Sequence, residues 1–384
     1  MTAETGTTKI RIGVAGLGAV AQSVHLPLIQ RRWDLFELAA LADLSAANGA
    51  AVGAQFGVGP EHVYPTLGEM LDSEELDGVV LLTSGSHGGP ALEALQRGVA
   101  VFCEKPLAFS LAEIDRLLEA EAAAGRPRLL LAYMKEYDPA VLALRERLPE
   151  ASEIRYVNVE VLHPSGPSQL AFANLHPPAR DVDPAVLAEL VAADRAVIAQ
   201  ALGDEVAAAH GDLYANVVLG SLIHDLSLVR ALVGPIETVD EVHLWASQDA
   251  PGSIEVGGTA GDNARVHLHW HYLADYPHYR ETVTIHHTTG SLELEFTVPY
   301  LLNAPTELRI VSSSGTGHSH ELVRSVDEAF EAELVAFHRM VTEGVEPPTR
   351  AVHGRVDVQT GQRILAVLAA TSGLTIGGEA AQPA

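Results

Sequence analysis

The chain has 384 residues, with 50 acidic against 24 basic side chains and a formal net charge of −26. That balance offers no electrostatic footprint for a nucleic-acid backbone or an anionic membrane surface, while 47% hydrophobic and 19% charged residues exclude a disordered chain. Its single cysteine, Cys103, excludes an intrachain disulfide and a cysteine-built zinc site.

The first residues lack the basic start and apolar stretch of a signal peptide, and no apolar run approaches the roughly 18 residues of a membrane span. A soluble, cytoplasmic protein is therefore expected. Short apolar runs at 10–15, 38–42, 78–82, 100–103 and 129–133 read as strands. Helical patterns at 20–30, 46–56, 90–97, 111–124 and 139–148 lie between and after them. The alternation predicts βαβ units, hence an α/β domain with a mainly parallel sheet over residues 1–150.

Beyond residue 150 the texture changes. A strand pattern at 153–163 leads into a Pro-rich stretch, 163–184. Helices are expected at 185–209 and 219–232. Strands follow at 238–247, 264–273, 281–287, 291–298, 307–312 and 321–325 with no helices between them. Two helices, 327–343 and 355–370, close the pattern, and 377–384 reads as a frayed tail. Residues 151–384 thus predict an α+β domain with an open mixed, largely antiparallel sheet.

Three features carry chemistry. Gly16-Leu17-Gly18-Ala19-Val20-Ala21 sits between the first strand and first helix. Gly16 permits the tight turn, Gly18 lets the backbone approach a pyrophosphate, and Ala21 lets helix and strand pack closely. Asp43 ends the second strand, where a carboxylate accepts from an adenosine ribose and repels a 2′-phosphate. NAD is therefore expected, with NADP disfavoured. Cys103-Glu104-Lys105-Pro106-Leu107 ends the fifth strand, at the edge where open α/β sheets bind ligands. Only three basic residues are lysines, and two of them, Lys105 and Lys135, fall at such strand ends. Lysine is the cation whose ammonium can be tuned to move a proton.

Together with His25-Leu26-Pro27, His87, Ala132-Tyr133-Met134-Lys135-Glu136-Tyr137-Asp138-Pro139 and His224-Asp225, these motifs resemble the glucose–fructose oxidoreductase, inositol dehydrogenase and rhizopine catabolism (Gfo/Idh/MocA) family. The resemblance implies a Rossmann domain, a C-terminal open sheet, and hydride transfer at a secondary alcohol or ketone of a sugar-like substrate or cyclitol. It implies Lys105 and His224 as the catalytic pair. It implies Gly16, Gly18, Ala19, Val20, Asp43, Ser84, His87, Glu104 and Lys105 at the cofactor, and a homodimer or homotetramer through the sheet. Tyr133, Lys135, Asn216 and Asp225 are substrate candidates.

The chain also departs from the family pattern. The acid that usually stands four residues before the histidine is Gly220 here, which removes a partner from one helix face. Asp225 points about 100° away on an α-helix, so Asn216, Asp212 or Asp225 would need a shifted backbone to compensate. The stretch 163–210 is longer than the family requires, and His163 and His176 within it are candidates for a substrate cleft. These departures keep two alternatives open: a redox-neutral sugar lyase or epimerase that retains NAD, and a non-catalytic dinucleotide sensor. His267, His269 and His271 share one strand face, but their rise of about 6.6 Å per pair disfavours compact ligation. No metal is expected.

Overall fold

The structure, a computed structural model, describes residues 8–245 and 252–382. The first residues, the end of the strand expected at 238–247, and the last two of the expected tail lie outside the described residues.

The first sheet is built from β1 (Ile10–Ala15), β2 (Phe36–Ala42), β3 (Val63–Tyr64), β4 (Gly78–Leu81), β5 (Ala100–Glu104) and β6 (Leu129–Ala132). Every pairing is parallel, in the order β3-β2-β1-β4-β5-β6. This is the doubly wound arrangement, and strand order reverses between β1 and β4. The continuous apolar strands are buried on both faces, as such a sheet requires. β3 and the helix Leu67–Ser73 were not expected from sequence. A two-residue strand carries no period, but Thr66 caps that helix by accepting the Glu69 N–H at 3.2 Å.

The second sheet adds β7 (Ile154–His163), β8 (Ile236–Trp245), β9 (Ser253–Ala260), β10 (Ala264–Tyr272), β11 (Arg280–His287), β12 (Gly290–Phe296), β13 (Glu307–Ser314) and β14 (Gly317–Arg324). Its order is β14-β13-β12-β11-β7-β10-β9-β8, with β7 and β10 parallel and the other pairs antiparallel. The sheet is mixed and largely antiparallel, as expected. β9 escaped the sequence reading because Gly257-Gly258 interrupts its apolar alternation. A Cβ on Gly258 would stand 2.1 Å from the Thr238 oxygen, so the register shift of β8 against β9 needs a glycine there.

Helices bury one face of this sheet. The stretch expected as one helix at 185–209 is two, Pro184–Leu202 and Asp204–Leu213, broken at Gly203 with φ 79°. The second continues through a π-helical segment, Tyr214–Leu222, into Ile223–Leu232. The run Asp204–Leu232 is long and apolar enough by length and composition to cross a membrane, contrary to the sequence reading; 61% of its most apolar window is buried inside the protein.

The end of the chain returns to the first sheet. Helix Ala329–Glu343 lays Phe330, Leu334, Phe337 and Met340 into the core that holds Ile12, Val80 and Phe102. Gly78 leaves room for Phe337, whose ring would lie 2.6 Å from a Cβ there. The expected tail is not frayed where it is described. The Gly377 N–H donates to Leu202 at 2.9 Å. Glu379 accepts the Leu111 and Ala112 N–H groups at 2.7 and 3.0 Å, stabilising the start of helix Leu111–Ala124.

Candidate active site

The loops leaving β1, β4, β5 and β6 open onto a cavity of about 350 Å³. The second sheet and helix Ile223–Leu232 close its far side. Gly18, Ala19, Val20, Ser84, His87, Glu104, Lys105, Lys135 and His224 all line it. Nine of the residues expected from sequence are thus brought to one wall or another of a single space.

The glycine turn fits a dinucleotide. Gly16 has φ 89°, and a Cβ there would lie 2.6 Å from the Leu82 carbonyl carbon. A Cβ on Gly18 would meet nothing within 4 Å. No internal contact requires Gly18 to be a glycine, and it faces the cavity where a pyrophosphate needs close backbone approach. Asp43 accepts the Leu17 and Ser45 N–H groups at 2.9 and 2.8 Å, which ties the turn to the end of β2.

Lys105 is half-buried on the cavity wall. Its Nζ donates to the Gly220 carbonyl at 2.8 Å. Burial pushes its pKa down, and Lys135 pushes the same way, against the opposing pull of Glu104. His224 shares the cavity wall, and its Nδ1 has no hydrogen-bond partner among the described residues. Burial, then Lys105 and Lys135, hold its pKa well below the usual histidine range, so its imidazole is neutral.

Lys135 lines the same cavity in a different setting. It pairs with Glu281 and lies 3.7 Å from Asp225. Tyr279 donates to the other oxygen of Glu281. Burial lowers the lysine pKa, but Asp225 and Glu281 outweigh it, and the net direction is upward. This ammonium is held charged.

Residues 10–132 match the family described as "Oxidoreductase family, NAD-binding Rossmann fold". That match places the likeness to the Gfo/Idh/MocA family in the first sheet and its helices. Inositol 2-dehydrogenase 3 of Saccharopolyspora erythraea is 33% identical over 138 residues, which covers 36% of this chain and 40% of that protein. The inositol 2-dehydrogenase of Leifsonia xyli is 32% identical over 166 residues, covering 42% of this chain and 48% of its own length. The chain therefore spans less than half the length of these curated relatives. Among solved structures, a UDP-N-acetylglucosamine 3-dehydrogenase of Acidithiobacillus ferrooxidans superposes with a TM-score of 0.69 at 21% identity, covering 94% of this chain and 98% of that one. A 3-ketoreductase of Actinomadura kijaniata, bound to TDP-benzene and NADP, gives 0.69 at 16% identity, covering 93% and 97%. These two likenesses extend the shared fold to the second domain.

Against the Gfo/Idh/MocA pattern, the missing acid has a structural answer. Gly220 lies in the π-helical segment, where the i, i+4 relation of an α-helix does not hold. Its carbonyl receives Lys105, and Glu281 from β11 is one of the carboxylates that line the cavity. Sequence reasoning missed Glu281 and Tyr279. Their one signal was a Tyr-x-Glu alternation at a strand start, which is common on solvated strands.

Three substrate candidates need correction. Tyr133 is buried away from the cavity, with its ring 5.9 Å from the Arg230 guanidinium. Asn216 is exposed on the π-helical segment. Asp225 is buried and turned toward Lys135, outside the cavity lining. The two histidine candidates of the Pro-rich strap, residues 163–184, are not among the cavity lining. His163 packs among Trp270, Tyr272 and Tyr279, and His176 binds Gln22 and Gln55 of the first domain.

His87 bridges two loops, with Nδ1 2.7 Å from the Pro106 oxygen and Nε2 2.8 Å from the Thr83 oxygen. Behind Glu104 lies a buried set missed from sequence. His25 Nε2 is 3.0 Å from Glu104, and both Glu333 oxygens lack a hydrogen-bond partner among the described residues. Burial and the neighbouring Glu104 push the Glu333 pKa well above the usual carboxylate range, which makes it a protonated acid. The ligand atoms of these three residues lie within 4.8 Å of one another, as do those of Glu255, His269 and His271 on the open sheet face. The spacing argument against a histidine cluster omitted Glu255, which lies opposite His269 in the ladder and 3.3 Å from its Nδ1.

Proposed function

We propose that the chain is an oxidoreductase that transfers a hydride between NAD and a secondary alcohol or ketone of a sugar, sugar derivative or cyclitol. Residues 1–150 would serve as the dinucleotide-binding domain and 151–384 as the substrate-binding and oligomerisation domain. The observation that carries this reading is Lys105: a half-buried lysine of lowered pKa, in one cavity with the Gly18 turn and a neutral His224. The inositol dehydrogenase relatives support the substrate class.

When bound, the nicotinamide supplies or takes up the hydride. Gly16, Gly18, Ala19, Val20 and Asp43 hold the dinucleotide, with Ser84, His87 and Glu104 on its nicotinamide side. Lys105 Nζ takes the proton of the reacting hydroxyl during oxidation and returns it during reduction. His224 orients that oxygen, and the charged Lys135–Glu281 pair with Tyr279 binds neighbouring hydroxyls. Geometry supplies much of the rate by holding the reacting carbon in place. The half-polar open face of the second sheet, with His267, His269 and His271 stacked along β10, is the surface for pairing with a second copy.

The test is Lys105→Ala with myo-inositol and a panel of aldoses. Loss of turnover with NAD binding retained supports the reading, and unchanged turnover overturns it. A redox-neutral enzyme that retains NAD is the second reading, favoured by the strap residues docked on the first domain. Turnover without net NADH formation would select it.

A further inference from the structure

The Pro-rich stretch leaves the second sheet after His163 and crosses to the first domain. Its His176 N–H donates to Gln22 Oε1 at 2.9 Å, and its His176 Nε2 lies 2.8 Å from Gln55 Oε1. Five residues later, Asp181 reaches the start of helix Ala46–Phe56. One of its oxygens accepts the Ser45 hydroxyl at 2.5 Å, and the other accepts the Ala47 N–H at 2.9 Å. Asp43 accepts the Ser45 backbone N–H at 2.8 Å. Two carboxylates, one from each half of the chain, therefore converge on Ser45 at the end of β2.

That position has a defined meaning in a doubly wound sheet. The end of the second strand receives the adenosine ribose, and the following helix start offers the donors that a 2′-phosphate needs. Here those donors are Ser45 Oγ and the Ala47 N–H, and Asp181 occupies both.

We infer that Asp181 is a specificity-determining residue for the dinucleotide: the strap delivers a second carboxylate to the 2′ position, where it withholds the phosphate-binding donors and repels NADP. This rests on the dinucleotide reading above and goes beyond the acid at Asp43. A ribose 2′-hydroxyl is neutral and can donate to either carboxylate, so NAD is compatible with the same arrangement. A 2′-phosphate would meet two like charges, a juxtaposition that disfavours it.

The experiment is calorimetric titration of the purified full-length chain with NAD and with NADP, for the wild type, Asp181→Ala and Asp181→Asn, with thermal melting of each. The wild type should prefer NAD. Asp181→Ala should narrow the NAD-to-NADP affinity ratio by about tenfold or more, because it removes a charge and frees two donors. Asp181→Asn removes the charge but keeps an acceptor for Ala47, so it should narrow the ratio less; it decides the matter if the alanine variant fails to fold. An unchanged ratio in the folded variants, or a wild type that prefers NADP, overturns the inference and leaves dinucleotide binding standing. A wild type that binds neither dinucleotide overturns the underlying reading as well.

Discussion

Lys105, half-buried, and Lys135, buried, line the same cavity, yet their surroundings drive their pKa values apart. Lys105 has a peptide carbonyl for its partner, and burial moves its pKa down. Lys135 sits between Glu281 and Asp225, and the two carboxylates overcome the same burial and move it up. Desolvation alone prepares a lysine to give up its proton; desolvation with paired acids fixes the charge. Within one cavity, one lysine is set for proton movement and the other for a standing charge.

The largest expected effect breaks that division directly. Lys105→Ala should lower turnover by on the order of 10²–10⁴-fold, the usual range for a proton-transfer group. Lys105→Arg should not restore it, because a guanidinium does not release its proton. Lys135→Ala should act first on stability. It leaves Asp225 and Glu281 facing each other without a cation, which costs about 3–5 kcal/mol in a chemical unfolding curve. If Lys135→Ala left stability intact and lost turnover as fully as Lys105→Ala, the two lysines would not divide the work.

Glu281→Gln sharpens the same contrast. The amide oxygen still accepts from Lys135 and its NH2 turns to the Tyr279 hydroxyl, which must then accept, so the stability cost should fall to about 1–3 kcal/mol. The KM for a polyol should rise more than kcat falls, because the lost charge sits beside the substrate space. The smallest effect is in pH. The base form of Lys105 accepts the proton during alcohol oxidation, and its pKa is lowered. The rate should therefore fall as pH drops through a midpoint below 10.5, the ordinary lysine value. A midpoint at or above 10.5 would contradict the assignment.

Much of the first domain was legible because its signals are local. The apolar runs marked five of its six strands, and the glycine turn marked the phosphate end of the cavity. Lys105 was legible because it follows a strand within two residues. The second domain was less so. β9 was hidden by two glycines beside a register shift, Tyr133 rested only on the motif after the sixth strand, and Asn216 and Asp225 were weighed on spacing that assumes a regular helix. The π-helical segment Tyr214–Leu222 breaks that assumption.

By itself, then, the sequence determined the Rossmann half, the glycine turn, and Lys105 as the residue to watch, because each depends on neighbours within a few positions. Only the tertiary structure decided which carboxylate from the second sheet enters the cavity, what holds Lys135, and where Asp181 goes. Glu281 meets Lys135 across 146 positions of chain, and Asp181 meets Ser45 across 136. Contacts at that separation depend on how two sheets and a strap dock, and no local period in the chain records that docking.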